Sequence, residues 1–211
     1  MHSYSTDSGE RETILLLLAA LAIAAAWTES RILQLSHLAV PFWFDAPSTM
    51  AFYGIFFKIF DIWLWRVKFL HRIGLLKVPV LRGGWKGFVV SSFDSHKKAH
   101  PVKVFIDQTW TKMSVRLQSN NSHSFTSTAS LQVHAQEGTV LSYQYENQPQ
   151  PEALRTMEIH VGTARLVLQA DCLALEGYYY SGRGRKEFGS LKLGRTRIDS
   201  GGPAAEPRSG G

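Results

Sequence analysis

The sequence predicts a membrane-anchored all-β protein, in which two N-terminal transmembrane helices precede an antiparallel domain of about eight strands. Two observations carry this prediction. Residues 14–67 are dense in Leu, Ala, Ile, Phe and Trp, whereas most of the Asn, Gln, Ser and charged residues follow them. From residue 84 onward, short β-type runs alternate with turn residues. The 211 residues therefore suit one ordinary domain with an apolar appendage.

The first predicted helix is built on Ile14 to Trp27, an uncharged apolar run. This run covers about 21 Å as a helix, less than the roughly 30 Å hydrocarbon core, so the helix must continue through Leu35 to span. A cleavable signal peptide is the alternative, because an apolar core of this length also fits one. Two features favour the transmembrane helix over the signal peptide: the N-terminus carries acidic as well as basic residues, and a second apolar segment follows the first.

The second predicted helix runs from Pro47 to Val67, which is 21 residues and about 31 Å. Proline in the first turn is typical of a helix start. Trp63 and Trp65 near its end are predicted to lie at the membrane interface, as aromatic belts do.

Lys58 and Asp61 lie inside this second segment, three residues apart and so on one helix face. Ionisable groups at that depth usually face other helices or an aqueous path, which makes both residues candidates for membrane assembly. A local ion pair near the interface is the alternative, and the sequence leaves both open.

Basic residues set the predicted orientation. Residues 62–93 contain no acid and several lysines and arginines, whereas the loop between the two helices has no comparable excess. The positive-inside rule then places both termini in the cytoplasm. Cys172 is the single cysteine, which excludes an intrachain disulfide framework and a cysteine-rich zinc module.

The polar half holds eight candidate strands with turn residues between them, which predicts a sandwich or a small closed barrel. Alternation places Leu141, Tyr143, Tyr145 and Asn147 on one face. The alternation slips near Thr111, where a bulge or corner is expected. The candidate strands are 85–93, 102–110, 112–117, 125–134, 140–145, 158–169, 173–180 and 188–193.

Motifs for catalysis or metal binding are missing from the sequence. It has no G-x-S-x-G elbow, Walker loop or H-E-x-x-H, and His96 and His100 belong to a basic turn next to Pro101. We therefore expect a binding protein that is not an enzyme and that needs no cofactor or metal.

Several fragments, in order after the two-helix anchor, resemble a family of bacterial antiphage effectors. They are Leu81-Arg-Gly-Gly-Trp85-Lys-Gly87, Ile106-Asp-Gln108-Thr-Trp110, Ser122-His-Ser124, Leu141-Ser-Tyr143-Gln-Tyr145-Glu-Asn147-Gln-Pro149, His160-Val-Gly162-Thr163-Ala164 and Leu175-Glu-Gly177-Tyr178-Tyr179-Tyr180-Ser181-Gly-Arg183. Together they resemble the SMODS-associating two-transmembrane, β-strand-rich effectors, over residues 14 to about 196.

This resemblance implies an effector of cyclic-oligonucleotide-based antiphage signalling (CBASS). A partner nucleotidyltransferase (CD-NTase) would supply a cyclic dinucleotide, which binds an eight-stranded, lipocalin-like barrel in the cytosol. Binding would drive homo-oligomerisation, disruption of the bacterial inner membrane and death of the infected cell. On this reading the net charge of +6 serves membrane orientation and a small anionic ligand, and long nucleic acid is not a partner.

Residue chemistry selects the candidate ligand site, because a cyclic dinucleotide presents two base faces and two phosphates. Aromatic rings would stack on the bases, Arg183 would pair with a phosphate, and polar side chains would donate or accept hydrogen bonds. The stacking candidates are Trp110, Tyr143, Tyr145, Tyr178 and Tyr180. The hydrogen-bonding candidates are Gln108, Ser124, Asn147, His160 and Thr163.

The predicted organisation has five parts: a cytoplasmic N-terminus (1–12), a transmembrane hairpin (13–67), a basic juxtamembrane linker (68–83), the ligand-sensing barrel (84–197) and a disordered tail (198–211). Two other functions stay open. A tethered barrel can bind a lipid or another apolar ligand, or it can serve as a protein-interaction module.

Overall fold

A computed structural model describes residues 1–35, 45–151, 158–182 and 187–196. Its helices are α1 (Glu10–Leu35), α2 (Asp45–Ile62) and α3 (Lys68–Arg72). Two short N-terminal strands are β1 (His2–Ser3) and β2 (Ser5–Thr6). The remaining strands are β3 (Gly83–Ser91), β4 (Ala99–Gln108), β5 (Lys112–Gln118), β6 (Ser122–Gln132), β7 (Val140–Pro149), β8 (His160–Leu168), β9 (Ala174–Ser181) and β10 (Phe188–Arg195).

Strands β3 to β10 form a closed eight-stranded barrel. Each strand pairs antiparallel with the next, and β10 pairs back with β3, so the sheet has no long free edge. Burial alternates along the strands, and large aliphatic side chains such as Leu166, Leu175 and Leu191 fill the interior. The predicted all-β fold is confirmed, and of the two predicted architectures the structure shows the closed barrel and not the sandwich.

Alternating strand directions give the barrel two different ends. The loops β3–β4, β5–β6, β7–β8 and β9–β10 lie at one end, which we call the open end, and the opposite end is the closed end. At the closed end, the N–H of Thr109 donates to the carbonyl of Lys112 at 2.8 Å, so Trp110 and Thr111 form a tight hairpin turn. The predicted slip at Thr111 is therefore a corner, and the bulge lies in β6 between Thr126 and Thr128.

Helix α1 continues to Leu35, as a membrane span requires. Its 26 residues measure about 39 Å. Its buried residues recur every fourth position, at Ile14, Leu18, Ala22 and Ala26, and such a stripe with small side chains lets a second helix pack closely. Within the described part of the chain, α1 is the one helix that is long and apolar enough to cross a bilayer.

Helix α2 ends at Ile62, five residues before the predicted end. Trp63 leaves the helical conformation, and a single 3₁₀ turn follows at Leu64–Arg66. Trp65 then points inward and is fully buried in the core, so its predicted place at the membrane interface is wrong, whereas Trp63 stays exposed. The helix ends here because its last turn is hydrogen-bonded to the closed end of the barrel.

The N-terminal residues and the juxtamembrane segment both pack on the barrel. β1 pairs antiparallel with β5 and β2 pairs parallel with β6, an arrangement that no pattern in the sequence predicts. Leu76, Val78 and Leu81 of the basic linker are buried in the core. The predicted disordered tail, 198–211, lies outside the described residues.

Candidate functional site

A cavity of about 280 Å³ occupies the open end of the barrel interior. Its lining comes mainly from the inward faces of the strands and from the β5–β6 turn. Five of the eleven predicted ligand residues lie on it. They are Ser124, Tyr143, Tyr145, Asn147 and His160.

Tyr143 lies deepest among these predicted residues and is 6% exposed. Burial raises the pKa of its phenol, so the hydroxyl stays protonated and remains a hydrogen-bond donor at neutral pH. The ring of Tyr145 lies nearer the mouth, 6.2 Å from that of Tyr143 between centroids and tilted by 56°. The two rings form an aromatic wall that runs from the interior to the mouth.

Tyr145 lies over a glycine of the neighbouring strand. Gly162 is its direct cross-strand partner, and a Cβ at Gly162 would lie only 2.4 Å from the Tyr145 Oη. Tyr179 has the same relation to Gly189, where a Cβ would lie 2.6 Å from the Tyr179 ring. Both glycines therefore leave room for tyrosine rings to lie along the barrel wall.

The cavity also contains residues that sequence reasoning missed. Tyr179 lines it, as does Ser181, whose buried hydroxyl oxygen has no hydrogen-bond partner among the described residues. Both residues belong to β9, where alternation also puts Glu176 on the opposite face. That charged residue marks the outward face and was the signal that could have identified Tyr179.

Three predicted ligand residues lie on the outer surface. Tyr178 is 63% exposed and Tyr180 is 57% exposed, because they share the outward face of β9 with Glu176. Thr163 is exposed beside Arg165 on the outward face of β8. These three residues therefore do not line the cavity.

Gln108 and Trp110 are buried, but at the closed end. The Gln108 side chain accepts a hydrogen bond from the Leu81 N–H at 2.7 Å and donates to the Pro79 carbonyl at 3.1 Å. Because β4 runs from the open to the closed end, its last residues lie far from the cavity. The structure therefore gives Gln108 a role in holding the segment before β3.

Charge at the cavity is sparse. Within the described ranges, no lysine or arginine lines it, and its imidazole and carboxylate side chains are those of His100, His160 and Glu187. His100 Nε2 lies 2.9 Å from the Asp94 carboxylate. The predicted phosphate ligand, Arg183, lies outside the described residues, in a segment flanked by Ser181 and Glu187 of the lining. No cluster of metal-ligating side chains is found in the described part of the chain.

Trp110 connects the closed end of the barrel to both long helices. Its backbone N–H donates to the Asp61 carbonyl at 3.1 Å, and its ring packs edge-on against Phe60 with centroids 4.9 Å apart. Its indole N–H donates to the Glu10 carboxylate at 3.4 Å. The same carboxylate accepts hydrogen bonds from the backbone N–H groups of Lys77 and Val78. The start of α1, the end of α2 and the segment before β3 thus meet at one turn.

Lys58 and Asp61, the predicted membrane-assembly pair, have different surroundings. Asp61 is buried, and its carboxylate accepts hydrogen bonds from the Thr111 N–H and hydroxyl, both at 2.8 Å. Lys58 is exposed one turn earlier in α2. Asp61 therefore belongs to the junction with the barrel, and Lys58 is the residue of the pair that stays accessible to a neighbouring helix.

Comparison with known proteins agrees with this architecture. The family model described as "Cap15, cyclic dinucleotide receptor domain" matches residues 76–195, and "Cap15, TM helices" matches residues 12–66. CD-NTase-associated protein 15 of Yersinia aleksiciae is 32% identical over 161 residues, which cover 74% of this chain and 72% of the relative. The chain therefore belongs to the Cap15 family, and the resemblance to CBASS effectors that its motifs indicated is confirmed.

Proposed function

We propose that this chain is an antiphage effector that binds a cyclic dinucleotide in the cavity at the open end of its barrel. The ligand would come from an associated nucleotidyltransferase. The observation that carries the proposal is the cavity itself, which combines tyrosine rings with hydroxyl and amide groups inside a domain matched by the cyclic dinucleotide receptor model. The protein acts by binding and is not an enzyme.

Recognition follows from the lining. Tyr145 and Tyr179 offer faces for stacking, which is worth about 1–3 kcal/mol per base. Ser124, Ser181 and Asn147 offer polar groups to base edges and phosphates. A cavity of about 280 Å³ is small for such a ligand, so we expect it to lie across the mouth with only part of it inside.

The phosphates need positive partners beyond those at the described cavity. The sequence between Ser181 and Glu187 supplies Arg183, Arg185 and Lys186, and both flanking residues line the cavity. Arginine binds phosphate with two parallel hydrogen bonds, so Arg183 remains our first choice.

The helices anchor the barrel in the bacterial inner membrane as two spans, with both termini in the cytoplasm. The basic residues after α2 support this orientation through the positive-inside rule. A barrel that must stay beside the membrane meets other copies in two dimensions, at a raised effective concentration. Ligand-bound barrels then oligomerise, and their clustered helices disrupt the bilayer and kill the infected cell.

A thermal-shift panel on the full-length protein in detergent tests the binding step. Cyclic dinucleotides should raise the unfolding temperature in proportion to the logarithm of their concentration, and linear dinucleotides and fatty acids serve as controls. Light scattering on the same samples should show a larger species with the active ligand only. A shift with fatty acids alone would contradict the proposal and favour an apolar ligand.

A further inference from the structure

The barrel wall has one weak junction, between β5 and β6. These strands pair only from Arg116 to Gln118 and from His123 to Phe125, next to the open end. Toward the closed end they separate, and β1 and β2 fill the gap, β1 along Lys112–Met113 and β2 along Ser130–Leu131. We call this filled gap the seam.

The N-terminal strands are held in the seam by specific contacts. Tyr4 is 3% exposed, and its hydroxyl donates to the Trp110 carbonyl at 2.8 Å. The Asp7 carboxylate accepts from the N–H groups of Val133 at 2.7 Å and His134 at 3.1 Å. An empty seam would leave the paired backbone groups of both strands and the pocket of Tyr4 without partners, which is costly.

The cavity and the seam are linked through the short ladder between them. Leu117 and Ser124 form the middle pair of that ladder, and both side chains line the cavity. A ligand that moves these two residues changes the spacing of β5 and β6 and therefore the fit of the N-terminal strands. The seam therefore begins where this cavity-lining ladder ends.

We infer that ligand binding releases the N-terminal strands from their own seam and that they enter the seam of a second copy. This inference rests on the proposed function and names the contact behind the oligomer. The segment that enters each seam is the same segment from the other copy, because residues 2–7 of the second copy can remake every contact that the first copy loses. Exchange of an identical segment is a low-cost route to association for this reason.

The connection to α1 limits the geometry of the exchange. Only Asp7, Ser8 and Gly9 separate β2 from α1, a reach of about 10 Å when extended. The seams of the two copies must therefore face each other, which gives a reciprocal, two-fold contact with the helical hairpins side by side. Gly9 is a suitable hinge, since it is exposed and no atom lies within 4 Å of where its Cβ would be.

Disulfide trapping tests the exchange. Ser3 and Lys112 are exposed and face each other across the β1–β5 ladder. Two full-length variants with different tags, Ser3→Cys and Lys112→Cys, are made with Cys172→Ser and co-expressed. After addition of cyclic dinucleotide and a mild oxidant, we expect a disulfide-linked species that carries both tags and increases several-fold over the ligand-free sample. The matched control replaces Lys112→Cys with Lys192→Cys, an exposed lysine on the outer face of β10.

A locked variant tests necessity. With Ser3→Cys and Lys112→Cys in one chain, oxidised before ligand is added, the protein should bind cyclic dinucleotide yet stay at its resting size until a reductant is added. If oligomers form while the two-tag species stays at the control level, or if the locked protein oligomerises normally, the exchange is wrong. If no larger species forms with unmodified protein, the proposed function fails and the exchange with it.

Discussion

A substitution at Gln108 tests whether the ligand binds in the cavity at the open end and whether the closed end serves stability. In the variant Gln108→Leu, the side-chain volume is largely kept, but the hydrogen bonds to Leu81 and Pro79 are lost. Both Gln108 and Leu81 are almost fully buried, so the Leu81 N–H is left without a partner. An unsatisfied buried group costs about 1–3 kcal/mol, and the loss of both bonds should destabilise the protein by about 2–4 kcal/mol. For a chain of this size, the unfolding temperature should fall by about 4–16 °C.

Tryptophan fluorescence during heating measures this effect on the full-length protein in detergent, and calorimetry below the transition measures ligand affinity. We expect Gln108→Leu to bind cyclic dinucleotide like the wild type, because Gln108 lies at the end of the barrel opposite the cavity. Gln132→Leu, on the exposed face of β6, is the matched control and should change stability by less than about 0.5 kcal/mol. Normal melting together with lost affinity in Gln108→Leu would refute the placement of the site.

Three further predictions follow from the cavity wall and the seam. Tyr179→Ala should weaken ligand binding by about 1–3 kcal/mol, roughly 5- to 150-fold, whereas Tyr178→Ala on the outer face should change it by less than about twofold, as titration calorimetry will show. Gly162→Ala should destabilise the protein by about 1–3 kcal/mol and weaken binding, since the added methyl would meet the Tyr180 carbonyl oxygen at 2.6 Å and displace the Tyr145 ring; thermal unfolding and calorimetry measure both effects. Slight burial acts to raise the pKa of the Asp7 carboxyl. The hydrogen bonds that this carboxylate accepts from backbone N–H groups have the larger effect and hold its pKa below the usual value. Its stabilising effect is therefore full above about pH 4 and disappears as pH falls through the folded-state pKa, so the melting difference between wild type and Asp7→Asn should shrink in acid.

Each of these predictions has a result that would contradict it. Equal losses of affinity in both tyrosine variants would mean that the inward face of β9 is not the binding face. Gly84→Ala serves as the glycine control, because its Cβ would meet nothing closer than 3.8 Å, and an equal effect there would refute the steric argument. A melting difference for Asp7→Asn that stays constant down to pH 3 would show that the Asp7 carboxylate does not anchor the N-terminal strands.

The barrel was predictable because its strands carry their own signals. Turn residues separate the eight runs, and the alternation of Leu141, Tyr143, Tyr145 and Asn147 gives the inward face of β7 directly. The inward face of β9 was also readable, since Glu176 marks the outward side that Tyr178 shares. Both faces of β9 carry tyrosines, so aromatic content alone does not identify the inward face. The charged side chain of Glu176 does, because it marks the outward face.

Position along each strand was the second source of error. Gln108 is inward, as its phase predicts, but β4 and β7 run in opposite directions, so the ends of these strands lie at opposite ends of the barrel. Strand direction is available from sequence once a meander is assumed. By contrast, the N-terminal strands are two residues each and have no alternation to read, and the break of α2 at Trp63 depends on tertiary contacts of Asp61.

Calorimetric titration of cyclic dinucleotides into the full-length protein, and into a variant that carries Tyr145→Ala and Tyr179→Ala, tests whether the barrel interior binds the ligand. Binding inside the barrel predicts saturable binding of at least one cyclic dinucleotide to the wild type. It also predicts a loss in the variant of about 2–6 kcal/mol, from two stacking contacts, at unchanged far-ultraviolet circular dichroism. Undiminished affinity in the folded variant, or no binding of any cyclic dinucleotide to the wild type, would contradict it.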